Sequence, residues 1–349
     1  MVTCAACHRS RMLRGNDPST TRPLETNREG PRLPSVTIGM PVYNGAAYVE
    51  EAIRSLLAQT EGDFVLHISD NCSDDATPNI CTRLAAGDSR IRYERQRHNL
   101  GATGNFHYLL RTAQTPFFMW AAHDDLWGPD FLRETLGLLR RFPDTVGCAV
   151  GLEGFIPATG LRWQVAPPAG MSSPNPAIRA RAAFHSGGWH AIYGLYRRDA
   201  IEIEPPTLHD VHFADGLFVF RMSLRGRFVV SDRTLHVFRD VGQQAKAAGP
   251  EAHLYSGNFT GVSRLMWRYA GEAELLSAWQ IASLRGYILW KWFTFTRDWA
   301  ARLNLERGSR AWRERQYPQV ALILTRQLFL RPSDLVRQAT RRFKPTPGA

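Results

Sequence analysis

Apolar positions recur in two periods along the first third of the chain, and their order predicts the fold. Val36-Thr37-Ile38-Gly39-Met40 is a short apolar run stopped by Pro41, the pattern of a strand. Tyr48, Val49, Ala52, Ile53, Leu56 and Leu57 then recur at helical spacing. Phe64-Val65-Leu66-His67-Ile68 reads as a second strand and runs into the polar cluster Asp70-Asn71-Cys72-Ser73-Asp74-Asp75. A further helix, a strand near Ile91-Arg92-Tyr93, a helix over Asn105–Ala113 and a strand at Phe117-Phe118-Met119-Trp120 continue the alternation. Strand and helix units in strict succession predict an α/β domain of doubly wound type, a mostly parallel sheet with helices on both faces.

After Asp125 the pattern loosens. A helix over Pro129–Phe142 leads to the apolar run Val146–Gly151 and then to a Gly- and Pro-rich stretch ending near residue 180. Ile192–Tyr196, Phe213–Leu224 and Phe228–Val230 read as strand, helix and strand. From Leu254 onward the spacing is helical, as in Leu275/Trp279/Leu284/Ile288 and Val320/Leu324/Leu328. Residues 1–34 mix Ser, Thr, Arg, Asn, Pro and Gly without a period, so a disordered leader is expected there. The α/β domain is expected over 35–250 and a basic helical extension over 251–349.

Composition narrows the class. A chain of 349 residues with 44% hydrophobic and 11% aromatic residues can bury a real core and is not wholly disordered. No stretch approaches the roughly 18 uninterrupted apolar residues of a spanning helix, and no apolar run follows the first charges as in a signal peptide. A protein in the cytoplasm, soluble or at the inner face of the membrane, is expected. The net charge of +11 is unevenly held: +3 over residues 1–34, −2 over 35–260 and +10 over 261–349. A nucleic-acid enzyme would more often line its cleft with basic residues, so no nucleic-acid partner is expected. Cys4-Ala5-Ala6-Cys7-His8 has the letters of a haem-attachment motif, but in a polar tail without an export signal it is taken as chance. Cys72, Cys81 and Cys148 stand singly, as in a reducing compartment.

Ligands of open α/β sheets bind outside the carboxyl ends of the strands. Three polar clusters fall there: Pro41-Val42-Tyr43-Asn44-Gly45, Asp70-Asn71 and His123-Asp124-Asp125. Each Asp alone also suits a helix cap or a turn; it is the shared edge that points to chemistry. Adjacent carboxylates repel unless a cation intervenes, and Mg²⁺ combines one or two carboxylates with phosphate oxygens and water. No His/Cys set has zinc spacing, and neither dinucleotide nor P-loop glycine motifs occur, so a metal-bridged diphosphate fits best.

PVYNGAAYVEEAIRSLLAQT, FVLHISDNCSDDAT, NLGATGNFHYLL and FFMWAAHDDLWGPDFL, in this order, resemble inverting glycosyltransferases of family 2 with a GT-A fold, over roughly residues 35–240. The resemblance implies transfer of a sugar from a nucleotide diphosphate sugar to a hydroxyl of a glycan or lipid-linked acceptor, in surface-glycan assembly, with Mg²⁺ or Mn²⁺ as cofactor. It sets Pro41, Tyr43 and Asn44 by the nucleoside and Asp70 on the base N–H, with Asn99 and Asn105 near the donor. The family's metal motif is Asp-x-Asp followed by another Asp. Here Ala122 stands at the first position and Asp124 at the metal-binding second, which also faces the donor; Asp125 is a further metal or acceptor-side group. An inverting transfer needs a base for the acceptor proton. Asp215 matches that position, while the same residue also suits a helix cap, and Asp210 is the other candidate. His190–Arg198 would wall the acceptor, and Arg239 would meet the diphosphate.

Rival readings differ in class. A non-catalytic nucleotide-sugar binder, a decayed transferase, draws on Ala122. A sugar-phosphate nucleotidyltransferase would carry a Gly-rich start with a basic residue where PVYNG stands. In the tail, Leu284–Leu303 interleaves Trp290, Trp292, Phe293, Phe295 and Trp299 with basic residues. That suits an inward-packed helical domain with a basic face, or docking at a membrane surface.

Overall fold

The computed structural model describes residues 34–184, 188–201, 214–241, 262–263 and 265–291. The leader, Asp210 and the tail beyond residue 291 lie outside them.

The strands are β1 (Val36–Val42), β2 (Phe64–Asp70), β3 (Ile91–Arg95), β4 (Phe117–Trp120), β5 (Leu126–Trp127), β6 (Thr145–Phe155), β7 (Arg162–Val165), β8 (Leu195–Arg197) and β9 (Arg227–Arg239). They form one sheet in the order β3-β2-β1-β4-β8-β6-β9-β5, with β7 on β6. The helices are α1 (Val49–Leu57), α2 (Thr77–Gly87), α3 (Gly101–Thr112), α4 (Phe131–Arg141), α5 (Pro176–Ala183) and α6 (Ala214–Arg225). Two more, α7 (265–272) and α8 (278–291), follow.

The doubly wound α/β expectation holds. Along β4, Met119 joins the cluster built with α1, α2 and α4, whereas Phe118 and Trp120 join the one built with α3 and α6 on the opposite face. That is the two-residue period of a strand covered on both sides. Helix α1 buries Val49, Ala52, Ile53 and Leu56, one helical stripe. The sheet is less parallel than expected. β1 pairs in parallel with β2 and β4, and β2 with β3, but β8 runs antiparallel to both β4 and β6. The regular βαβ crossovers end at β4, and with them the parallel run.

Two features prepare the sheet edge. Gly39 lets α3 close on β1, since a Cβ there would lie 3.1 Å from Leu109 and the Phe118 ring. Pro41 lies two residues beyond the last β1–β4 pair, Gly39↔Trp120, where its missing N–H removes no bond to β4. In the other half, α5, α6, α7 and α8 share a cluster of Ala180, Leu217, Phe220, Leu224, Met266, Leu284 and Ile288. The described start of the C-terminal extension therefore packs onto the domain that carries Asp215.

Candidate functional site

The three polar clusters meet at the carboxyl edge. Asn44 takes a left-handed backbone (φ 50°), which turns the chain sharply after β1. Its N–H donates to Ser73 Oγ (2.9 Å), and its side-chain oxygen accepts from the Asp74 N–H (3.0 Å). Gly45 N–H donates to Thr77 Oγ1 (2.9 Å) and Asn71 N–H to the Val42 carbonyl (2.8 Å). A Cβ on Gly45 would come within 2.5 Å of His123, so the third cluster lies directly against the first. Tyr43 stays exposed at this junction.

Asp70 ends β2 fully buried. One carboxylate oxygen accepts from the Ser73 N–H (2.9 Å), the other from the Tyr93 hydroxyl (2.8 Å), with Arg95 at 4.0 Å. Burial and the bond to Asp70 push the Tyr93 hydroxyl well above its usual range. Asn105 sits beneath: its oxygen accepts from Ser69 Oγ (2.6 Å) and its amide donates to the Ser69 carbonyl (2.8 Å). Asn99 is exposed, and its oxygen accepts from Asn71 Nδ2 and the Gly101 N–H, both at 2.8 Å. Both Asn side chains thus bond to the chain itself, fixing the β2 end and the start of α3.

Asp124 and Asp125 have opposite surroundings. Among the described residues, only Asp124's own backbone N–H bonds its carboxylate. Burial, opposed by His123 and reinforced by Asp125, pushes its pKa up. Asp125, the other expected metal ligand, has a hydrogen bond on each oxygen. One holds His236 Nε2 (2.9 Å) and the other accepts from the Arg239 N–H (2.9 Å), in a pair of residues buried almost completely. His236 is stacked on Trp127 with ring centroids 5.2 Å apart. Arg239 donates from Nε to the Asp124 carbonyl and from Nη1 to Glu51 (2.5 Å), and lies over the Tyr48 ring. Its Nη2 has no partner among the described residues.

Across from this loop, Asp215 stands in the first turn of α6, accepting from the Gly216 N–H (2.7 Å). Burial pushes its pKa up to about 6. The Tyr193 ring lies 5.4 Å from that of His236, the partner of Asp125. Burial raises the Tyr193 hydroxyl, and the charges of Asp125, Asp215 and Asp124 raise it further. His190 stacks on Trp189 (3.6 Å) and abuts Phe238, and burial holds it down to about 3, a neutral imidazole. Glu51, Tyr48 and Trp127 carried no signal in the sequence, because their partners lie far along the chain. No group of three or more His, Cys, Asp or Glu gathers for a metal among the described residues, and of the pair Asp124 is the carboxylate without a bond from another described residue.

A mixed α/β sheet with its polar loops on one edge and a helix-borne acid opposite is a GT-A-like fold. It is similar to the crystal structure of S. aureus TarS 1-349, with a TM-score of 0.60 at 17% identity, covering 82% of this chain and 78% of that one. TarS 1-349 has also been solved in complex with UDP and with UDP-GlcNAc. Residues 37–202 match the family described as Glycosyl transferase family 2. An uncharacterized glycosyltransferase of Rickettsia bellii is 34% identical over 108 residues, 31% of this chain and 15% of that protein. The dTDP-rhamnosyl transferase RfbG of Shigella flexneri is 29% identical over 105 residues, 29% of this chain and 36% of its own length. The matches to curated Rickettsia relatives span between 15% and 33% of those proteins.

Proposed function

We propose that this protein moves a sugar from a nucleotide diphosphate sugar to a hydroxyl of a glycan or lipid-linked acceptor, with inversion, in the assembly of a surface glycan. The observation that carries the reading is the meeting of the loops after β1, β2 and β4 at one sheet edge, with Asp124 there free of bonds from other described residues. Asp215, whose pKa burial pushes up to about 6, is the acid proposed to act with it. The match of residues 37–202 to Glycosyl transferase family 2 supports a transferase, and the UDP and UDP-GlcNAc complexes of TarS support a nucleotide-sugar donor.

In this reading the nucleoside lies along Pro41, Tyr43 and Asn44. Asp70 would take the base N–H; Ser73 and Tyr93 between them hold its carboxylate still. Asn99 and Asn105 act from behind, by fixing Asn71 and Ser69. Asp124 would hold Mg²⁺ or Mn²⁺. An isolated carboxylate with Ala122 two residues before it suits a hard cation that completes its shell from diphosphate and water. When bound, the cation supplies positive charge to the leaving nucleoside diphosphate. Arg239 directs its unpaired Nη2 to the same charge. We reassign Asp125 from metal ligand to positioning: it fixes β9, and through Arg239 the Asp124 main chain.

Asp215 takes the acceptor hydroxyl proton as that oxygen bonds the anomeric carbon and the bond to the diphosphate breaks on the opposite face. A carboxyl with pKa near 6 is ionised at pH 7 to 8 and more basic than an ordinary Asp. The free Cys72, Cys81 and Cys148 fit a reducing cytoplasm.

Calorimetric titration with UDP, GDP and dTDP, each with and without Mn²⁺, tests the donor side. Metal-dependent binding of one nucleotide is expected. Absence of binding to all three by folded protein would overturn the reading. Ala122 favours one rival, a binder without turnover, and transfer to any acceptor would exclude it.

A further inference from the structure

Helix α8 is apolar on two opposite faces. Its inner face buries Leu284 and Ile288 against α6 and α7. Its outer face carries Trp279 (82% exposed) and Trp290 (56% exposed), with Ala282 and Gly286 between them and Leu275 (60% exposed) just before the helix. At about 100° per residue, Trp279, Ala282, Gly286 and Trp290 share an arc of roughly 80°. No charged residue falls on that arc, and a Cβ on Gly286 would meet nothing within 4 Å. The two rings are about 16 Å apart along the axis, so the face is long and runs parallel to the helix. An apolar face of this length, opposite one that is already buried, is normally covered as well.

We propose that this outer face lies on an anionic lipid surface. Three observations choose lipid over a protein partner. The face is bounded at both ends by Trp, whose amphipathic ring favours the headgroup boundary. It offers no charged side chain, and no polar group besides the two indole N–H donors, to fix the register of a protein. It also leads directly into the most basic part of the sequence: residues 292–349 hold 12 Lys and Arg against four acids, a net charge of +8, complementary to anionic headgroups. Lys291 Nζ, 5.3 Å from the Trp290 ring, begins that basic run at the edge of the face. A surface-lying helix beside α6 would bring the Asp215 side of the site to the plane of a lipid-linked acceptor; in that respect the inference rests on the proposed function.

The test uses the full chain and vesicles of phosphatidylcholine, with or without about 30% phosphatidylglycerol. Co-sedimentation with the anionic vesicles is expected, falling by about tenfold or more in the double variant Trp279→Glu, Trp290→Glu with an unchanged melting temperature. Failure of the wild-type chain to sediment would overturn the proposal. So would equal sedimentation of the variant, which would assign binding to the basic run alone. A melting temperature several degrees lower in the variant would mean that the chain itself covers the face. A wild-type dimer that the variant dissociates would mean that a second copy does. Neither donor nor acceptor is present, so these outcomes are separate from failure of the transferase reading.

Discussion

Asp124 and Asp125 are neighbours in the chain, yet removing each should fail differently. Asp124 has no bond from another described residue, so Asp124→Ala is expected to abolish Mn²⁺-dependent nucleotide binding with little change in melting temperature. Asp125→Ala would strand His236 Nε2 and the Arg239 N–H in a buried site, a loss of about 2–4 kcal/mol. Thermal unfolding beside calorimetry separates the two; equal loss of stability would refute the division of roles. Asp215 makes the opposite kind of prediction. Its folded pKa, near 6, exceeds the ordinary value of 3.8, so the native state binds the extra proton between them and stability falls as pH rises through that window. Asp215→Asn should therefore stabilise the fold at pH 8 by on the order of 2 kcal/mol, with no such gain below pH about 4. Transfer should drop by roughly 10²–10⁴-fold, while wild-type transfer rises through pH about 6. A variant that transfers sugar at the wild-type rate would remove Asp215 from the mechanism.

At the scale of elements, the legible parts were those with a single burial environment. β1, α1, β2 and β4 follow their periods because one cluster claims each face. The apolar pattern marks only Phe228–Val230 of β9, which extends from Arg227 to Arg239. It pairs with β6 through register shifts and with β5 at its far end, so no single alternation runs through it. Helix α5 hid in a Gly- and Pro-rich stretch, although Asn175 caps Ala177 N–H (2.9 Å) and Pro176 opens the first turn, a readable start signal. The three site loops were legible because each ends a strand. The burial of Asp125 was not, since its partners lie 111 and 114 residues on. The contact between loops gives the element-scale prediction. Gly45→Ala would drive a methyl to 2.5 Å from the His123 ring and 2.7 Å from the Val42 side chain, so these side chains or the turn itself must give way. The expected result is weaker nucleotide binding and a stability loss of about 1–3 kcal/mol, read by calorimetry and thermal unfolding. Unchanged binding would mean that the His123 loop is not part of the donor site.

Across the whole molecule, the candidate site joins two halves that share the β4–α6 contact but are otherwise backed by different clusters. The nucleoside-side loops hang on β1, β2 and β4, whose core is shared with α1, α2 and α4. Asp215 hangs on α6, whose far face, Leu217, Phe220 and Leu224, packs with Met266, Leu284 and Ile288. The extension is thus the backing of the proposed base, and a cavity placed in it should reach catalysis while sparing donor binding. Ile288→Ala is expected to cost about 2–4 kcal/mol, because the side chain is almost fully buried and the helices around it can collapse only in part. At a temperature where the variant is still folded, the rate of transfer should fall with the nucleotide Kd unchanged, since α6 loosens and the loops at Asn44, Asp70 and Asp124 do not. Hydrogen exchange should show the same division, with faster exchange in α6 than in wild type and unaltered protection in β1 and β2. A parallel loss of nucleotide affinity would mean that the two halves form one cooperative support. An unaffected rate would mean that α6 is held from the sheet side alone, by Val219 and Met222 against the opposite cluster.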